Sequence, residues 1–196
     1  GDRLAIATPD NALAIVDSAG AVLIRRASEA LPVPFAADAG AFWVLSGTAI
    51  ERLDQALTWN HVLDTGRPFS ASAELVTGSD GSLYTYSGEG RALHAWGPDG
   101  KARWIAFMPG SHLRPPLLGI GGGRLLYALS TDAHLLAFDT GDGRLTADLR
   151  LYDGGVERTA AARWLAVGPQ DDVRFGGGFL TIVGLDGASL LAAALP

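Results

Sequence analysis

The stretch DGKARW, residues 99–104, places Gly after Asp and then alternates toward a closing Trp104. Asp-Gly suits a tight reversal, because glycine enters positive φ without steric cost, and the run behind it suits a strand. The figure recurs. Aligned on the turn ahead of a closing strand, five segments match: SAGAVLI at Gly20, LDQALTW at Gln55, PDGKARW at Gly100, GDGRLTA at Gly143 and LDGASLL at Gly187. Successive anchors lie 35, 45, 43 and 44 residues apart. A run with apolar bias precedes each turn: ALAIVD, AIERLD, ALHAWG, LLAFDT and LTIVGLD.

The other apolar segments are short as well, as in LAIAT, AFWVL, SLYTY, LLYAL and FLTIV, and turn residues bound them. Helical periodicity is scarce; the best candidate, SEALPVPFAADAG, is broken by Pro32 and Pro34. The chain therefore reads as all-β. A period of about 40 residues with about four strands per unit is the signature of β-propeller blades. The expectation is a single β-propeller domain of about five four-stranded blades, with units near 1–27, 28–63, 64–107, 108–151 and 152–196. Unit one supplies only three strands, at 3–8, 12–17 and 21–26, and lacks an innermost one. Either the chain is a domain of a longer protein, which is the favoured expectation, or a five-bladed ring closes on an incomplete blade. A β-sandwich with coincidental turn spacing is the competing architecture.

Composition narrows the function classes. The chain is 48% hydrophobic, 18% charged and holds 26 glycines in 196 residues, which suits a folded, turn-rich protein. A formal net charge of −6 argues against nucleic acid as a partner. With no cysteine there is no disulfide, thiolate metal site or cysteine nucleophile. No apolar run approaches the ~18–20 residues of a membrane span.

The segments GGRLLYALSTDAHLLAFDTGDGRLTADL (122–149) and DGSLYTYSGEGRALHAWGPDGKARW (80–104) carry a family likeness. They resemble the pyrroloquinoline-quinone-like repeat of quinoprotein-type propellers, which runs from an apolar strand through a "lyALda.tGk..W" figure. In that family the closing Trp docks between neighbouring blades. Trp104 and Trp59 match this position, with Ile24, Ala147 and Leu191 in the other units. The likeness covers nearly the whole chain, but its motifs are degenerate, so it implies fold more than function. The quinone-dependent dehydrogenases of the superfamily are longer and hold their cofactor against a vicinal cysteine pair beside calcium. A chain without cysteine does not match them, and no cofactor is assigned. Other members are scaffolds, among them the lipoprotein of outer-membrane barrel assembly, which bind partners through blade edges and loops. The likeness implies the same here, in the periplasm or outside the cell.

Few residues suggest chemistry. His61, His94, His112 and His134 fall in different units, and strands of separate blades rarely provide the facing geometry a shared metal needs, so these read as surface or edge histidines. GIGGGR (119–124) joins two strands and opens no helix, so it is no phosphate cradle; RFGGGFL (174–180) reads as its counterpart in unit five. Asp171 and Asp172 read as a solvated turn, and Asp132, Asp139 and Asp142 as turn residues that accept backbone amides. Trp43 and Tyr84 are expected between blades, and Trp96 and Trp164 in the core.

One constellation recurs between units. The segments leading into the innermost strands place Arg67, Arg114 and Arg158 at equivalent points, 12, 14 and 15 residues after Gln55, Gly100 and Gly143. Beside innermost strands they would ring one mouth of the channel, where forked guanidinium donors suit a carboxylate, a phosphate or an acidic loop. Arginines that merely bond carbonyls of the adjacent blade are the competing reading. The function expected is a non-catalytic binding or assembly scaffold, its partner another protein or an upstream domain of the same chain. The alternatives are a sugar or anion binder at the arginine collar and, behind it, a propeller hydrolase.

Overall fold

The structure, a computed structural model, describes residues 3–8, 12–27, 35–38, 41–46, 48–54, 56–64, 74–87, 91–109, 115–122, 124–151, 162–168, 171–177, 179–183 and 190–194. All regular structure among them is strand. The first sheet comprises β1 (Arg3–Thr8), β2 (Ala12–Asp17) and β3 (Val22–Ala27). Four four-stranded sheets follow. They are β4 (Phe35–Asp38) to β7 (Trp59–Asp64), β8 (Leu75–Thr77) to β11 (Ala102–Phe107), β12 (Leu117–Ile120) to β15 (Leu145–Arg150), and β16 (Trp164–Val167) to β19 (Leu190–Ala194). Within each, neighbours in sequence pair antiparallel, and β4, β8, β12 and β16 lie side by side as the innermost strands. Among the described residues this is an all-β propeller of five sheets, the first with three strands and none in the innermost place.

What stacks the sheets is visible in strand alternation, which sends successive side chains to opposite faces. In the fourth sheet Leu126 and Phe138 face the third, while Tyr127, Leu135 and Ala137 face the fifth. In the second, Phe42 and Leu53 join Ile15 of the first sheet, while Trp43 and Ile50 join Leu83 and Trp96 of the third. Each interior sheet is thus apolar on both faces, which explains the unbroken apolar runs that hid a simple period-two pattern. Trp43 and Tyr84 lie between blades and Trp96 is core, as expected. Because the same lattice point packs backward in each sheet, successive sheets are related by rotation about a common axis. The innermost strands therefore all start at one end.

The repeating turn is a three-residue loop with a left-handed residue before the returning strand, a type I turn closed by a G1 bulge. Asp17 N–H donates to Ala21 O and Gly20 N–H to Asp17 O; Gly97, Lys101 and Gly100 repeat the pair. Gly20 and Gly100 have φ of 83° and 76°. In the second sheet the left-handed residue is Leu57 (φ 60°), whose N–H donates to Asp54 O. Unit two is therefore anchored at Leu57, two positions beyond the Gln55 chosen by sequence. The shift reverses Trp59. It packs backward onto the first sheet, with the Arg26 guanidinium 4.7 Å from its ring centre. Trp104 does take the inter-blade place, its Nε1–H donating to Thr140 O at 2.9 Å in the next sheet.

Three further expectations need correction. GIGGGR links the first two strands of its sheet, whereas RFGGGFL lies between the second and third strands of the fifth, so the two occupy opposite ends. Asp171 is no solvated residue: it takes φ 61° and its Oδ1 is buried beside Gly121 and Tyr127. Asp172 pairs with Arg174 at 2.6 Å. Trp164, expected in the core, is 38% exposed because its strand position points away from the fourth sheet.

Candidate functional site

Three regions can hold a ligand or partner: the end where the innermost strands start, the opposite end with its aspartate turns, and the outer strands. At the first, β8, β12 and β16 begin at Leu75, Leu117 and Trp164. Arg67, Arg114 and Arg158 belong to the segments that enter these strands and lie outside the described residues, as does His112. Glu74, just ahead of β8, is half-buried, and desolvation pushes its carboxyl above the usual range.

At the turn end the carboxylates serve their own hairpins. Asp17 Oδ1 accepts the amides of Ala19 and Ala21 at 2.9 Å, Asp54 accepts Thr58 N–H at 2.9 Å, and Asp139 accepts Gly141 N–H at 2.8 Å. Asp142 likewise accepts Arg144 N–H at 2.9 Å, in line with the sequence reading. Asp80 takes Ser82 N–H and the Arg103 guanidinium, both at 3.0 Å. Hydrogen bonds of this kind hold Asp54 and Asp99 below the usual carboxylate range. With their carboxyls lowered in this way, Asp54 and Asp99 are poor proton donors.

The histidines diverge. His94 on β10 (Ala92–Trp96) stacks on Trp96 at 5.8 Å and 7°, and burial lowers its pKa. His134, at the head of β14, places Nδ1 2.6 Å from Asp148 Oδ1. Among the described residues, no three His, Cys, Asp or Glu side chains gather as a metal cluster.

The outer strands carry what sequence reasoning missed. Among the described residues, five of the eight exposed large apolar ones sit on them: Val22, Leu23, Ile105, Phe107 and Leu145. On β11, Trp104 turns toward the fourth sheet, so alternation puts Ile105 and Phe107 on the opposite face, the one on which Trp96 packs against the second sheet, and there they are 56% and 76% exposed. They share a face with His94 and Ala92, their cross-strand partners. The strand is held firmly. Gly100 at its hairpin packs on Val62 of β7, and Arg103 bonds Ser82 Oγ at 2.6 Å as well as Asp80. Its free side has no strand partner in its sheet. The signal was available in WIAF (104–107), an unbroken apolar run on a closing strand, but alternation alone does not say which half faces a neighbour.

No protein-family model matches the chain, and no curated protein does. Solved structures do. Virginiamycin B lyase from Staphylococcus aureus superposes with a TM-score of 0.74 at 13% identity, over 95% of this chain and 64% of that one. Kluyvelomyces marxianus Hsv2 gives 0.71 at 15%, over 99% and 66%. BamB from Moraxella catarrhalis gives 0.65 at 17%, over 100% and 62%. The chain spans less than two thirds of the length of each. One of the three is a lyase, so the fold leaves catalysis open. At these identities the likeness is one of architecture: the chain folds as a β-propeller.

Proposed function

We propose that the chain is a non-catalytic propeller scaffold that docks a protein partner on outer strand β11. The observation that carries this reading is the pair Ile105 and Phe107, exposed on an edge strand with an open hydrogen-bonding side. Burying one such side chain is worth about 1.5–3 kcal/mol, and an extended partner segment adds main-chain bonds along the edge. The partner expected is an extended strand with apolar residues at alternate positions. A net charge of −6 disfavours nucleic acid, and among the described residues no helix is long and apolar enough to cross a membrane. An extracytoplasmic setting, implied by the quinoprotein-type repeat, belongs to the same proposal.

Lys101 is the single lysine of the chain and stands at the mouth of this hairpin, its side chain 84% exposed. Amine-directed cross-linking in extract of the source cells should trap adducts through Lys101. Phe107→Asp should abolish them while leaving the melting temperature unchanged. Adducts that persist in Phe107→Asp would sink the reading.

A further inference from the structure

Three sheets place the same pair of cross-strand residues against the sheet before them, and the fifth places one residue at the same point. In the second the pair is Phe42 and Leu53, in the third Leu83 and Trp96, in the fourth Leu126 and Phe138, and in the fifth Val173 stands at the same point. The turn hydrogen bonds align Asp17 with Asp54, Gly97 and Asp139, so the corresponding pair in the first sheet is Leu4 and Val16. Leu83 is 0% exposed; Leu4 is 60% exposed. Val22, which pairs with Val16 on the same face, is also 60% exposed, and Ile6 behind Leu4 is 39% exposed. The opposite face of this sheet, with Ala5, Leu13 and Ile15, is fully packed on the second. Among the described residues the first sheet is therefore two-sided in composition and one-sided in contact.

No apolar cluster among the described residues joins the first sheet to the fifth. The outward point held by Trp43, Tyr84 and Tyr127 in sheets two to four is Arg174 in the fifth, paired with Asp172. An ion pair there is no match for Leu4 and Val22. About a third of each similar structure also has no counterpart in this chain, which is room for roughly two to three more blades of about 40 residues.

We propose that the face formed by Leu4, Ile6, Val16 and Val22 is a blade-to-blade interface, and that its occupant is a further four-stranded blade of the same polypeptide. That blade would present to Leu4 an aromatic from its second strand, as Trp43 does to Leu83 and Tyr84 does to the fourth sheet. The inference stands on the sheet faces and is independent of the scaffold reading.

The absence of cysteine allows a direct test. Leu4→Cys and, as a reference on β11, Ile105→Cys are each made in the 196-residue chain and in the chain extended by its encoded flanking sequence. Thiol labelling with a maleimide is followed by mass. In the 196-residue chain both thiols should react at similar rates. In the extended protein the thiol of Leu4→Cys should slow by at least about tenfold, and that of Ile105→Cys should not. An unslowed Leu4→Cys thiol in the extended protein overturns the proposal. So does slowing in the 196-residue chain that grows with protein concentration, since a second copy would then be the occupant. Neither result bears on cross-linking at Lys101, so the two readings fail separately.

Discussion

Gly20 and Gly143 take nearly the same φ, 83° and 73°, yet their surroundings differ. A Cβ at Gly20 would meet nothing within 4 Å, whereas at Gly143 it would fall 2.6 Å from Trp104 Cδ2. The first glycine serves only the backbone; the second also makes room for the indole of the preceding sheet. Gly20→Ala should cost about 1 kcal/mol, the left-handed penalty alone, and Gly143→Ala about 3 kcal/mol, because the ring must leave its seat. Urea unfolding of both variants checks this. In Gly143→Ala combined with Trp104→Ala the two losses should be clearly non-additive. Additive losses would show that the glycine and the ring do not constrain each other.

Strand β10 shows how burial becomes pH dependence. His94 points to the face shared with Trp96, and desolvation lowers its folded pKa below the unfolded value. The neutral ring is thus favoured in the native state. Stability from this site is complete above the unfolded pKa of about 6.5 and declines as pH falls below it, where the unfolded chain binds the extra proton. The loss of melting temperature between about pH 7.5 and pH 5.5 should therefore be smaller in His94→Phe, which keeps a flat ring on Trp96. An unchanged slope would exclude His94 as its source. Strands such as β10 are legible in the sequence because turn residues bracket them tightly. Unit two was anchored wrongly because its left-handed residue is Leu57, and no pattern marks leucine as a turn former. That error alone placed Trp59 on the wrong side of its sheet. The exposure of Ile105 and Phe107 was illegible for another reason: it depends on where the neighbouring sheet ends.

A stack of sheets in which each touches only its neighbours has stability that varies along the stack. The fourth sheet is buried on both faces, by Leu126 and Phe138 toward the third and by Tyr127 and Leu135 toward the fifth. Among the described residues the first is packed on one face only and has three strands. Its backward face leaves Leu4 and Val22 in water, so opening β1 and β2 sacrifices one interface where opening β13 and β14 sacrifices two. A single cooperative core would give every strand amide the same opening free energy; a stack will not. Native-state hydrogen exchange should find the amides of β13 (Leu125–Leu129) and β14 (His134–Asp139) opening only with global unfolding. Those of β2, although it is the central strand of its sheet, should open at least about 2 kcal/mol lower. Equal values for β2 and β14 would mean that the sheets unfold as one unit despite the bare face of the first.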